Sequence, residues 1–97
     1  MPTKSYDDLL LKELQDPELA AGYLSEALRG GSMDVFLIAL RNVAQARGGL
    51  GALSGETELN RQNLYRMLSE DGNPTLANLM KVLAVLGIDL EFRSRAA

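Results

Sequence analysis

Glycine, proline and capping residues cut this chain into short lengths, and that punctuation limits what it can fold into. Asp16-Pro17 opens a segment: the carboxylate can accept from free N–H groups, and proline suits a first helical turn. Gly30-Gly31 closes that segment. Ser32 caps the next, Asp34 favours its first turn, and Gly48-Gly49 breaks it. Asp71, Gly72, Asn73 and Pro74 make a loop, Thr75 caps a further helix, and Gly87 sits where a C-terminal cap belongs. Between these marks apolar residues recur at helical spacing. They are Leu10, Leu11 and Leu14 in a leader helix started near Ser5 or Asp7, then Leu19, Ala20, Tyr23, Leu24, Ala27 and Leu28. Phe36, Leu37, Leu40, Val43 and Ala44 follow, and after the loop Leu76, Leu79, Met80, Leu83 and Leu86. The chain is expected to be all-α: a leader over residues 1–15, then a five-helix domain over 16–97.

The last stretch breaks the pattern. IDLEFR alternates, with Ile88, Leu90 and Phe92 on one side and Asp89, Glu91 and Arg93 on the other. Period two predicts a short C-terminal strand with one buried face. A lone strand leaves its backbone groups unpaired, and no other segment alternates as clearly. The simplest partner is the same strand of a second copy in a symmetric homodimer, which makes Ile88, Leu90 and Phe92 the candidate dimerisation residues. The other reading is a tail packed on its own domain.

Ninety-seven residues make one domain. Without histidine or cysteine the chain lacks the commonest general base, disulfides, thiolate chemistry and the usual zinc ligands. No phosphate-cradling motif is present, because the glycine cluster at 48–51 lacks a following Lys-Ser/Thr. No metal, no cofactor and no enzymatic activity are expected. There is no membrane-spanning apolar run, and MPTKSYDDLL lacks the basic-then-apolar order of a secretory signal, so a cytoplasmic protein is expected. Net charge is −3 and the sequence pI about 4.8, unlike a non-specific nucleic-acid binder. The charge is unevenly placed. Residues 1–40 carry three basic and seven acidic side chains, net −4, and residues 41–97 seven and six, net +1. Two surfaces with different partners would account for this, as would a solvated acidic face with none.

The central stretch, LGALSGETELNRQNLYRML, reads as two short helices about a tight turn: residues 50–57, Glu58-Leu59, and residues 60–69. On the second helix Leu64, Met67 and Leu68 share one face and point to the core. Arg61, Gln62 and Arg66 point away from it, Asn63 and Tyr65 flank them, and Asn60 is placed to cap. Arginine pairs two-pronged with guanine and glutamine with adenine, so this face can read base edges. From residue 60 to 69 there are two arginines and no acidic residue. A first helix crossing the backbone and a second in the major groove is the helix-turn-helix arrangement. Leu53 and Leu59 are its expected internal packing contacts.

This stretch, with YRMLSEDGNPTLANLMKVLAVLGIDLEF after it, resembles the Xre-type, lambda-repressor-like helix-turn-helix proteins. More narrowly it resembles the antidote (antitoxin) proteins of bacterial addiction modules. A leader like YDDLLLKELQDPELAAGYLSEAL, a helix ending Ala46-Arg47-Gly48, and the loop Leu68-Ser69-Glu70-Asp71-Gly72-Asn73-Pro74 carry the likeness, over roughly residues 16–93. The resemblance implies a homodimer that binds and represses its own operator DNA. It also implies neutralisation of a small basic toxin of RelE/ParE-like type encoded beside it. It assigns Arg61, Gln62 and Arg66 to base contacts, and Asn60, Asn63 and Tyr65 to the neighbourhood of phosphates. Arg47, Asn73 and Asn78 become further backbone contacts. A stand-alone phage-type repressor, or an interaction module that has lost DNA binding, are the alternatives. Three positions depart from the family pattern: Glu58 replaces the usual turn glycine, Ala52 a phosphate-contacting side chain, and Ser54 a small alanine. Glu58 must either adopt a left-handed conformation or reshape the turn. Gly48, Gly49, Gly51 and Gly55 weaken the first helix, and Glu56 and Glu58 bring negative charge near the phosphates.

Overall fold

The computed structural model describes residues 2–69 and 71–95, with side chains from Asp7 onward; Glu70 of the expected loop lies outside the described residues. The chain is all-α. Six helices follow one another: α1 (Pro2–Glu13), α2 (Pro17–Arg29), α3 (Met33–Ala46), α4 (Gly49–Thr57), α5 (Arg61–Met67) and α6 (Leu76–Val85). Five of them fall within 16–97 and α1 within the leader. No helix among the described residues is long and apolar enough to cross a membrane.

The start signals act as the local chemistry requires. The Asp16 carboxylate accepts from the Glu18 N–H at 2.9 Å, and the Ser32 hydroxyl from the Val35 N–H at 3.3 Å. Asn60 accepts from the Asn63 N–H at 2.7 Å, and Thr75 from the Asn78 N–H at 3.1 Å. Each satisfies a helix N–H that has no partner within the helix, worth about 1 kcal/mol. Helix α6 stops as cleanly as it starts. Gly87 takes φ 75°, its N–H donates to the Ala84 carbonyl at 3.1 Å, and the Ile88 N–H donates to the Leu83 carbonyl at 2.9 Å. That pair of bonds is a Schellman motif, and it folds Ile88 back onto the core.

Helix α3 supplies the centre of the core. Phe36, Leu37, Ala39, Leu40, Val43 and Ala44 are all buried, and α1, α2 and α4 pack against this helix. Leu14 enters the same core from just past α1, Leu24 from α2, Leu53 from α4, Leu64 and Leu68 from α5 and its end, and Val82, Leu83 and Leu86 from α6 and its end. Helices α5 and α6 both lean on α4.

Three expectations need correction. Residues 88–95 form no strand, because a strand needs a neighbouring ladder and the described residues of one chain offer none. Ile88 instead completes the end of α6, and Leu90 lies beside the groove between α2 and α6. The helical stripes are also buried more narrowly than their spacing predicts. Leu19 and Leu28 of α2, and Leu76 and Met80 of α6, are about half exposed, since each helix meets only one neighbouring layer. Helix α5 ends at Met67 rather than residue 69, with Leu68 already outside helical geometry at φ −101° and ψ 14°.

Gly87→Ala puts a Cβ into the left-handed region, which costs about 1–2 kcal/mol. In a domain of this size the melting temperature should fall by roughly 4–8 °C per kcal/mol, measured by thermal denaturation followed by circular dichroism.

Candidate nucleic-acid interface

Helix α5 presents the expected polar face. Leu64, Met67 and Leu68 are buried, while Arg61, Gln62, Asn63, Tyr65 and Arg66 are exposed. The Arg61 guanidinium sits 5.8 Å from the centre of the Tyr65 ring, close enough for a cation–π contact that narrows the directions in which Arg61 points. On one flank of α5 a hollow opens toward the end of α3 and the start of α4, with Arg41, Gln45, Arg61 and Tyr65 in its walls. Gly51 of α4 lies close to Arg61: a Cβ there would come within 3.9 Å of the guanidinium. On the other flank a second hollow gathers Asn63, Arg66, Asn73 and Asn78, with Asp71 among them. The ridge of α5 therefore stands between two polar hollows, each holding at least one guanidinium.

The turn before α5 is built without glycine. Glu58 takes the left-handed conformation, φ 65° and ψ 7°, so of its two options the backbone adopts the strained one. Two hydroxyls from α4 fasten the next residue. The Thr57 hydroxyl donates to the Leu53 carbonyl at 2.8 Å and accepts from the Leu59 N–H at 3.2 Å, and the Ser54 hydroxyl donates to the Leu59 carbonyl at 2.9 Å. Both backbone groups of Leu59 are thus satisfied within the turn. Ser54, which departs from the small alanine of the family pattern, is one of its fasteners. Thr57 is the buried polar residue of the described core.

The far end of α5 is held from α3. Arg41 donates through Nε at 3.0 Å, and through Nη2 as well, to the Leu68 carbonyl. That carbonyl belongs to a helix end, where no following N–H is available to it. The loop beyond is tight. A Cβ on Gly72 would collide with the Met67 carbonyl oxygen and stand 2.9 Å from that of Ser69, so only glycine fits.

The structure brings most of the expected residues to one face and sets one apart. Asn60 is occupied as the cap of α5. Asn73 and Asn78 do lie beside Arg66. Arg47 is turned elsewhere: its Nη1 donates to the Leu86 carbonyl at 3.0 Å, tying the end of α3 to the end of α6. Arg41 and Thr57 were missed. An arginine among the apolar residues of α3 carries no signal of the carbonyl it will meet, whereas a threonine two residues before Leu59 and three before the Asn60 cap could have been read as a turn closer.

The sequence matches the model of a family described as probable addiction module antidote protein over residues 3–94. It is also similar to a protein of Haemophilus influenzae that carries only the description "uncharacterized protein". The two are 35% identical over 69 residues, which cover 71% of this chain and 70% of the relative. No solved structure matches it.

Two substitutions test how α5 is held. Arg41→Met keeps the aliphatic stem and removes both donors from the Leu68 carbonyl. It should lower stability by about 1–3 kcal/mol in urea denaturation, the range for losing a charged hydrogen bond to a partly buried partner. Glu58→Gly should act the other way, raising stability by up to about 1 kcal/mol as the left-handed strain is relieved.

Proposed function

The chain belongs to the family of probable addiction module antidote proteins, and on that premise we propose that it is the antidote of a toxin–antidote pair that also represses its own operator. Residues 16–97 form the DNA-binding and dimerising part, and residues 1–15 a leader. In this reading α4 and α5 are a helix-turn-helix of Xre type. The observation that carries it is the α5 face: Arg61, Gln62 and Arg66 project together from a short helix anchored at both ends, by the Leu59 hydrogen bonds and by Arg41.

Arg61, Gln62 and Arg66 would contact base edges in the major groove. Asn63, Tyr65, Asn73 and Asn78 border the two hollows beside α5 and would approach the phosphates that flank the groove. Arg47 contributes by holding α6 rather than by touching DNA. Two copies are needed for a palindromic operator, with reading helices roughly 34 Å apart. The homodimer is supported by the unpaired tail: Phe92 is 92% exposed and Leu90 38%, beside the open Met80 of α6. Pairing residues 88–92 with the same segment of a second copy would supply the missing ladder. The acidic residues 1–40 would face a small basic toxin, with opposite charge speeding the encounter. Acting on DNA and on an intracellular toxin, the protein would work in the cytoplasm. The competing reading, an interaction module without DNA binding, rests on Glu56 and Glu58 near the path of the phosphates.

Binding to the promoter of its own gene should weaken steeply with salt, because each neutralised phosphate releases counterions. Arg61→Ala should lose about 1–3 kcal/mol of preference for the operator over unrelated DNA. Titration of labelled duplex at several salt concentrations reads both. Binding that is absent or indifferent to salt would remove the repressor half and leave the interaction-module reading.

A further inference from the structure

Three arginines of this chain spend donors on oxygen partners. Arg41 and Arg47 donate to the carbonyls that end α5 and α6, and Arg29 pairs with Glu26. Arg61 is held by other means. Its guanidinium lies over the Tyr65 ring, 5.8 Å from the centre and one helical turn away on α5. It also lies against α4 at Gly51. A Cβ added there would have the Arg61 Cζ and Nη2 as its nearest neighbours, both at 3.9 Å. Gly51 has helical backbone without a positive φ, so its turn does not demand glycine. Alanine would fit in ordinary contact, while a longer side chain would lie against the guanidinium.

How an arginine is held determines what it can still bind. A carboxylate or carbonyl partner occupies N–H edges, the groups that pair two-pronged with guanine. A ring takes the flat face of the guanidinium and leaves those edges free. Among the described residues no acidic side chain lines the hollow beside Arg61. The hollow beside Arg66 differs, because Asp71 stands in its wall. Orientation counts as well. Arginine has among the most rotamer freedom to lose, and ordering that is left until contact weakens binding. A ring that orders Arg61 beforehand reduces that loss. Tyr65 is 52% exposed and takes no part in the buried core, so its ring is available for this role.

We propose that Tyr65 is the positioning residue for Arg61, its ring holding the guanidinium by the face so that the N–H edges remain open to a base. This rests on the reading of α5 as the helix that contacts DNA, and deepens it. A phosphate contact by Tyr65 would use the hydroxyl. The platform uses only the ring, which phenylalanine also has.

The test uses the full chain, a labelled duplex carrying the promoter of its own gene, and an unrelated duplex of the same length. Tyr65→Ala should cut the preference for the promoter by about two- to thirtyfold, the range for a cation–π contact from exposed to desolvated. Tyr65→Phe should keep that preference within about twofold. Added to Arg61→Ala, Tyr65→Ala should cost no more than about a further twofold, because the platform then has nothing to hold. The side chains changed are exposed, so melting temperatures should stay near wild type. Losses that multiply in the double variant overturn the proposal, as does a Tyr65→Phe loss equal to that of Tyr65→Ala. Proton NMR of the DNA-free chain reads the contact itself. The Arg61 δ protons should shift in Tyr65→Ala as the ring current is removed, and hold their place in Tyr65→Phe. Shifts that ignore Tyr65→Ala overturn the platform even where the promoter is bound. The expected shifts in a chain with no promoter preference overturn instead the reading of α5, and the specificity role of Tyr65 with it.

Discussion

Helix α3 packs against α1, α2 and α4, and the rest of the molecule is arranged around that packing. Its inner face is a continuous apolar stripe from Phe36 to Ala44, buried on all sides. Packing against that stripe places α1, α2 and α4. The two later helices are reached differently, by guanidinium groups. Arg41 grips the carbonyl that ends α5, and Arg47 grips the carbonyl that ends α6. A helix end is the one place where a helix offers carbonyls with no internal partner, and arginine can supply donors from a distance. The fourteen-residue α3, with Arg47 just past its end, thereby holds three helices by packing and reaches the ends of the two that lean on α4.

That arrangement explains how α5, a helix of seven residues, can stand firm. Two turns of isolated helix are unstable in water, because nucleation is unfavourable and few internal bonds form. Here both ends are fastened from outside. Asn60 caps the first turn, the hydroxyls of Ser54 and Thr57 fix the residue before that cap, and Arg41 takes the last carbonyl. The left-handed Glu58 opposes this by about 1–2 kcal/mol. Two hydrogen bonds to Leu59 are of comparable size, so the turn persists without the glycine that its shape would favour. The glycines of α4 weaken that helix, yet Leu53 and Thr57 still bury their side chains and hold it against the core.

What could be read from the sequence was local. Asp16, Ser32, Asn60 and Thr75 announce their helices because a cap bonds to an N–H two or three residues away, within the span that a linear reading covers. Gly87 is legible for the same reason. The inward and outward faces of α5 follow from spacing alone. What could not be read was set by neighbours far along the chain. The Arg41–Leu68 and Arg47–Leu86 bonds span 27 and 39 residues, and nothing near either arginine marks its target. Spacing also says that Leu76 and Met80 lie on one side of α6 without saying whether anything covers that side. The tail failed for a related reason: alternation describes a face that could be buried, and a strand forms only where a ladder exists.

Among the open apolar residues of the single chain are Met80 of α6 and Leu90 and Phe92 of the tail. At the tail, Asp89 and Glu91 alternate with Arg93, so an antiparallel copy can set acid beside base while Leu90 and Phe92 meet their counterparts. The chain's net charge of −3 is thus a poor guide to its binding when taken as one number. Resolved by position, it separates a basic ridge on α5, a tail of mixed charge and an acidic first forty residues.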